Sequence, residues 1–412
     1  MKHTRKTTLL VLVSLVLATS LFANGASEKE VSSVKSKEKE TLTVTMALSE
    51  EEWGVMRSKV IPDFEKANDC KVNAVQVEAS DVQKKLVAMK QAGKMEIDVV
   101  ASDVNREAAL IDAGLVEDLS AYTDLIPAET TGKLAKAGVF DGKTFFFPYR
   151  PNAEINYYNE SKFNQYGLTP PRNWDELYQV SKTLKEKENM GRICLKIKLS
   201  GDAIDLVEFI RSAGGDPLVL NDEGTIEAFS YLQKLWPELS PDTLKAGFSS
   251  SNKFLSTDEV YFCPNWPFAA NIIVKDGGKK EIKAYEGFSG PKGFMKTLAG
   301  EMLGIASGSQ HKDLALKFMS YMMSKDVQVM LLKENGWASF RTDTYGEAEE
   351  WQKPYFEALL KALAVAEPLP RVSNWDKIQQ CLNDAGKEIL LNGAEVKATL
   401  DKYALQVKEL QK

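Results

Sequence analysis

G-K-T-F-F-F-P-Y-R-P-N-A-E-I-N-Y-Y-N-E-S-K-F-N-Q-Y-G, from Gly142 to Gly167, is the stretch on which the reading of the chain turns. Its aromatic and β-branched residues favour an extended backbone up to Pro148 and again from Glu154 to Tyr158. Pro148 and Pro151 have no backbone donor, so a regular ladder is interrupted between the two runs. The turn presents Tyr149, Arg150 and Asn152 together, one flat ring beside several hydrogen-bonding groups. Such a surface suits a polar ligand with apolar faces, although a hairpin in any mixed sheet fits the same residues.

Upstream, strands and helices alternate. T-L-T-V-T-M-A-L reads as a strand, and S-E-E-E-W-G opens a helix in which Met56, Val60 and Phe64 recur at four-residue spacing. Pro62 lies inside that helix and is expected to kink it. A strand near Val72 to Val77, a helix from about Ser80, the buried strand I-D-V-V-A and another helix closed by Gly114 follow. This alternation predicts right-handed βαβ units and a mostly parallel sheet. Ligands of such sheets sit beyond the carboxyl ends of the strands. Those ends carry Glu50, Glu51 and Trp53 after the first strand, and Ser102 and Asp103 after the third.

Several motifs, in order, resemble those of extracellular solute-binding proteins of the maltose-binding type, which serve ABC importers. They are F-E-K-A-N, A-G-x(3)-I-D-V-V, L-I-D-A-G-L-V-E-D-L, the Pro-Tyr-Arg-x-Asn turn, Tyr-Tyr-Asn and Gly-Leu-x-x-Pro. The resemblance extends over roughly Leu42 to Leu410. It implies an α/β, two-lobed periplasmic-binding-protein type II fold, with mostly parallel sheets flanked by helices and hinge crossovers near Pro148, Leu298 and Tyr345. The N-terminal lobe would take residues 42–150 and 299–344, and the C-terminal lobe 151–298 and 345–412.

The resemblance also implies a role for particular residues. Glu51 (or Glu50) and Asp103 match acidic positions set against sugar hydroxyls, the alternative for each being a helix N-terminal carboxylate. Trp266, in V-Y-F-C-P-N-W-P-F, matches a Trp that stacks on a sugar ring, with Phe268 a second aromatic. Glu301 falls where a side chain reaches the cleft, and Arg341 keeps its place although Ser339 stands where Pro is expected. The run F-L-S-T-D-E-V-Y-F departs from the family's usual F-x-x-G-K-x-A-M. With Tyr149, Arg150 and Asn152, the residues Trp53, Trp337 and Trp375 complete the candidate binding set; core packing is the alternative for each Trp.

The function so implied is a periplasmic receptor that captures a small carbohydrate between its lobes and delivers it to ABC-type membrane permease subunits. It would act as a monomer, without cofactor or metal. A polyamine, a phosphate ester or another polar solute on the same scaffold stays open, as does a secreted glycoside hydrolase using two of the many carboxylates.

Composition narrows the field further. Lys2, Arg5 and Lys6 precede an apolar run from Leu9 to Ala18, with small residues at Ala23, Gly25 and Ala26. The run is short of the ~20 residues of a membrane span, so residues 1–26 read as a cleaved export signal and residues 27–41 as a solvated linker. The first cysteine is Cys70, so the leader has no residue for lipidation. Loss of the leader takes the formal charge from −6 to −9, which disfavours nucleic acid as a partner. Cys70, Cys194, Cys263 and Cys381 show no CxxC spacing and read as buried free thiols. His311 is the one histidine beyond the leader, which leaves little for a His-based triad or zinc site.

Overall fold

The computed structural model describes residues 39–412. The expected leader lies outside these residues, and so does most of the expected linker. The first strand, Thr41–Met46, pairs in parallel with Lys71–Gln76 on one side and Val99–Asp103 on the other. It is buried on both faces, as a strand covered by helices must be. Beyond Val99–Asp103 the pairing changes direction. The long strand Thr297–Ile305 runs antiparallel to Val99–Asp103 and to Phe147–Asn152 and lies between them, so the six-stranded sheet is mixed.

A second sheet has three antiparallel strands, with Ile155–Asn159 between Phe262–Asn265 and Ile282–Tyr285. Helices Trp174–Glu188, Ile204–Ser212, Glu223–Leu235, Trp375–Gly386 and Val396–Leu410 share a core with Phe262 and Tyr285 of this sheet. Leu177, Phe209, Phe229, Leu382, Leu400 and Val407 share the core between them. The chain is therefore a two-lobed α/β protein.

Only two residues, Ala153 and Glu154, separate the crossing strand Phe147–Asn152 from the central strand of the second sheet. Thr297–Ile305 returns the chain, and the short strand Glu367–Pro368 joins its first residues. The helix Lys353–Val365 packs on the second sheet, where Tyr355 stacks on Tyr157 and donates to the Ile282 carbonyl at 2.6 Å.

Two local features show how the sequence sets this geometry. Pro62 does not break its helix: the preceding turn, Met56–Val60, widens to π geometry and Ile61–Asn68 continues as α-helix. Gly300, on the returning strand, has φ +104°, and a Cβ there would stand 2.0 Å from the Arg150 carbonyl oxygen. Glycine is what lets the two crossing strands lie against each other. All four cysteines are buried and unpaired.

Candidate functional site

Asp103, Glu301 and Arg150 form one row across three strands. Glu301 stands opposite Asp103 on one side and opposite Arg150 on the other. Directly after Glu301 the register slips from Arg150 to Pro148, so Tyr149 is bulged out of the pairing. A bulge turns side chains that would otherwise alternate regularly. Here it leaves Arg150 toward the cleft and Tyr149 in the core, 1% exposed and edge-on to Trp337.

Glu52 closes the row from the helix after the first strand. Ser49 Oγ accepts from the Glu52 amide, and Glu52 Oε2 accepts from the Ser49 amide at 2.8 Å, a reciprocal cap. The other carboxylate oxygen accepts from Arg150 at 2.5 Å and from Trp337 Nε1 at 2.6 Å. Arg150 also donates to Glu301 at 2.9 Å and lies 4.4 Å from the Trp337 ring centre. The guanidinium is thereby fixed by two carboxylates and a ring before any ligand arrives.

Above this row is a cavity of about 370 Å³, within the range of ~300–1,000 Å³ usual for small-molecule sites. The first lobe contributes Ser49, Glu52, Gln76, Glu78, Asp103 and Asn105. The crossing strands contribute Arg150, Asn152 and Glu301. Asp202, Trp266 and Phe268 come from the second lobe. Trp266 is half-buried in the turn after Phe262–Asn265. Tyr157 pins that turn by donating to the carbonyls of Trp266 and Pro267, each at 3.0 Å. The Lys196 ammonium, paired with Glu154, sits 4.7 Å from the Trp266 ring centre and covers one face.

Behind the lining, the acceptor Asn152 Oδ1 and the donor Arg150 Nε are buried without a hydrogen-bond partner among the described residues. Burial and the neighbouring charges of Glu301 and Asp202 push the Asp103 carboxyl up to about 7, against the pull of Arg106 and Arg150. Burial also raises Glu301, with Arg150 opposing and Glu52 adding to the shift.

Six of the twelve residues expected from sequence, Asp103, Arg150, Asn152, Trp266, Phe268 and Glu301, line this cavity. The others lie elsewhere. Glu51 points to solvent, one helical step from Glu52, which takes the place at the cleft. Trp53 is fully buried beneath it, donating to Gln76 Oε1 at 2.6 Å. Tyr149 and Trp337 are packed behind Arg150. Arg341 is held by Asp343, Glu129 and the Met323 carbonyl. Trp375 is 1% exposed in the second core and borders a smaller void of about 40 Å³ beside Arg106. Glu52, Gln76, Glu78, Asn105 and Asp202 were not anticipated; only Glu52 carries a signal, the S-x-x-E of its cap.

Residues 51–329 match the sequence model of the bacterial extracellular solute-binding proteins. Among curated relatives, the diacetylchitobiose-binding protein DasA of Streptomyces coelicolor is 23% identical over 363 residues, 82% of each chain. Among solved structures, maltose-bound MalE3 of T. maritima superposes with a TM-score of 0.79 at 23% identity, over 90% of this chain and 99% of that one. An ABC transporter solute-binding protein of Thermotoga lettingae bound with α-D-tagatose gives 0.78 at 19% identity, over 90% and 99%. These likenesses establish the fold.

Proposed function

Because this chain belongs to the bacterial extracellular solute-binding proteins, we propose that its cleft captures a small carbohydrate, of one to a few sugar units, and presents it to an ABC-type importer. The observation that carries this reading is the cavity lining. An indole fixed by Tyr157 and Lys196 faces a row of carboxylate, amide and guanidinium groups. Aromatic faces suit the C–H faces of a pyranose, and the carboxylate, amide and guanidinium groups of the lining suit its hydroxyls. Diacetylchitobiose, maltose and tagatose in the names of the relatives point the same way. The crossing strands give the lobes a place to hinge, so ligand contacts from both sides favour closure.

Export by a cleaved leader, residence in a periplasm without a lipid anchor, and a monomeric state complete the proposal. No helix among the described residues is long and apolar enough to cross a membrane. Glu52 and Glu301 are engaged in holding Arg150, which supports binding rather than glycoside hydrolysis. A thermal-shift screen over monosaccharides, disaccharides and polyols tests the reading. A ligand at 100 times its Kd adds ~2.7 kcal/mol to stability, and a melt unmoved by every carbohydrate overturns it.

A further inference from the structure

The cavity is one-sided in charge. Glu52, Glu78, Asp103, Asp202 and Glu301 line it, and among the described residues the only lining cation is Arg150. Arg150 is already shared by Glu52 and Glu301. Arg106, at the rim, lies 3.8 Å from Asp103 and 3.8 Å from Asp202, so these carboxylates, from different lobes, converge on one guanidinium. Its closest partner is a third carboxylate, Asp376, at 2.8 Å. Among the described residues, the Glu78 carboxylate receives only the side-chain amide of Gln76, at 3.4 Å. Lys196 is neutralised by Glu154.

Neutral hydroxyls can donate to these carboxylates but leave their mutual repulsion in place. An ammonium donates and cancels charge together. We propose that the cleft selects carbohydrates carrying a protonated amine over neutral sugars of the same size, with the ammonium seated among the lining carboxylates Glu78, Asp103 and Asp202. This rests on the carbohydrate reading above and specifies its chemical class. Anionic sugars such as phosphate esters are repelled by the same field.

Asp103 faces Glu301 on the neighbouring strand, Asp202 from the other lobe, and the cations Arg106 and Arg150. With its carboxyl pushed up to about 7, a bound ammonium draws the proton off, and amine binding strengthens as pH rises through that value until the ligand loses its own proton.

Calorimetric titration of the full chain with the 1,4-linked dimer of glucosamine, the corresponding glucose dimer and spermidine tests the proposal. The amino dimer is expected to bind at least ~10-fold tighter than the glucose dimer, as hydrogen bonds to a charged partner exceed neutral ones by a kcal/mol or more. That ratio should shrink as salt is raised. Glu78→Gln with Asp202→Asn removes two exposed charges and keeps side-chain shape, so the ratio should fall several-fold with the ligand-free melt unchanged. Equal or tighter binding of the glucose dimer overturns the amine preference and leaves the carbohydrate reading standing. Spermidine binding with neither dimer bound, or no binding at all, overturns both.

Discussion

The indole N–H of Trp337 donates to Glu52 at 2.6 Å across a sequence separation of 285 residues. Glu52 caps its own helix, so the bond ties the start of the helix Glu50–Val55 to the segment behind the crossing strands. Trp337→Phe keeps the ring under Arg150 but leaves the buried oxygen one donor short. A hydrogen bond to a charged group contributes ~1.5–3 kcal/mol. Denaturant unfolding of the ligand-free protein should show a loss of that order, and an unchanged midpoint would contradict the role.

Arg150 and Glu301 should behave as a pair. Arg150→Met leaves Glu301, 3% exposed, without its counter-charge, which typically costs ~3–5 kcal/mol. Adding Glu301→Gln should recover part of that loss. A double-mutant cycle measured by urea unfolding gives the coupling, and strict additivity would show that the ion pair is not what matters.

Trp266 should matter to affinity and not to folding, whereas Trp375 should do the reverse. Trp266→Ala is expected to weaken ligand binding by ~2 kcal/mol, roughly 30-fold, with little change in the ligand-free melt. Trp375→Ala empties a site in the second core and should cost ~3–5 kcal/mol of stability. Titration and melting of both variants separate the roles, and a large drop in the Trp266→Ala melt would reassign it to packing.

Asp103 should make the ligand-free protein less stable as the solution becomes less acid. Its carboxyl is pushed up to about 7 in the folded chain, above the ordinary unfolded value of ~3.9. Between these values the folded state holds a proton that the unfolded chain has lost. Stability therefore falls from about pH 4 to about pH 7 and levels off above. Asp103→Asn removes this slope, so its melting temperature should gain on wild type through that interval. A constant difference across pH would exclude the shift.

Gly300→Ala should be poorly tolerated. The positive φ and the 2.0 Å approach to the Arg150 carbonyl force the crossing strands apart. The expected loss is on the order of 3 kcal/mol or more, read as a lower urea midpoint. Gly278→Ala, where a Cβ meets nothing within 4 Å at φ +69°, carries only the strain of the left-handed backbone and should cost less.

The sequence carries the alternation of strand and helix, and with it the position of Asp103, because a strand end is marked by where its apolar run stops. It likewise places Trp266, whose flanking prolines mark a turn. It does not resolve Glu51 from Glu52. Adjacent helical residues differ by ~100° about the axis, and only the capping contact decides which of them looks inward. Trp53 and Trp375 sit at helix starts like a cleft residue would, yet both are core; burial depends on elements far away in sequence. Asp202 has no motif at all. It belongs to the cavity because two lobes meet there.

The strand Thr297–Ile305 connects the lobes, places Glu301 at the centre of the charged row and needs glycine at residue 300. A substitution there that alters what is recognised also alters the joint. Glu78 and Asp202 are exposed, lie on neither crossing strand and still line the cavity. Selection for a new solute therefore has its freedom at the rim, where residues can be exchanged one at a time, while an exchange in the joint changes recognition and hinge together.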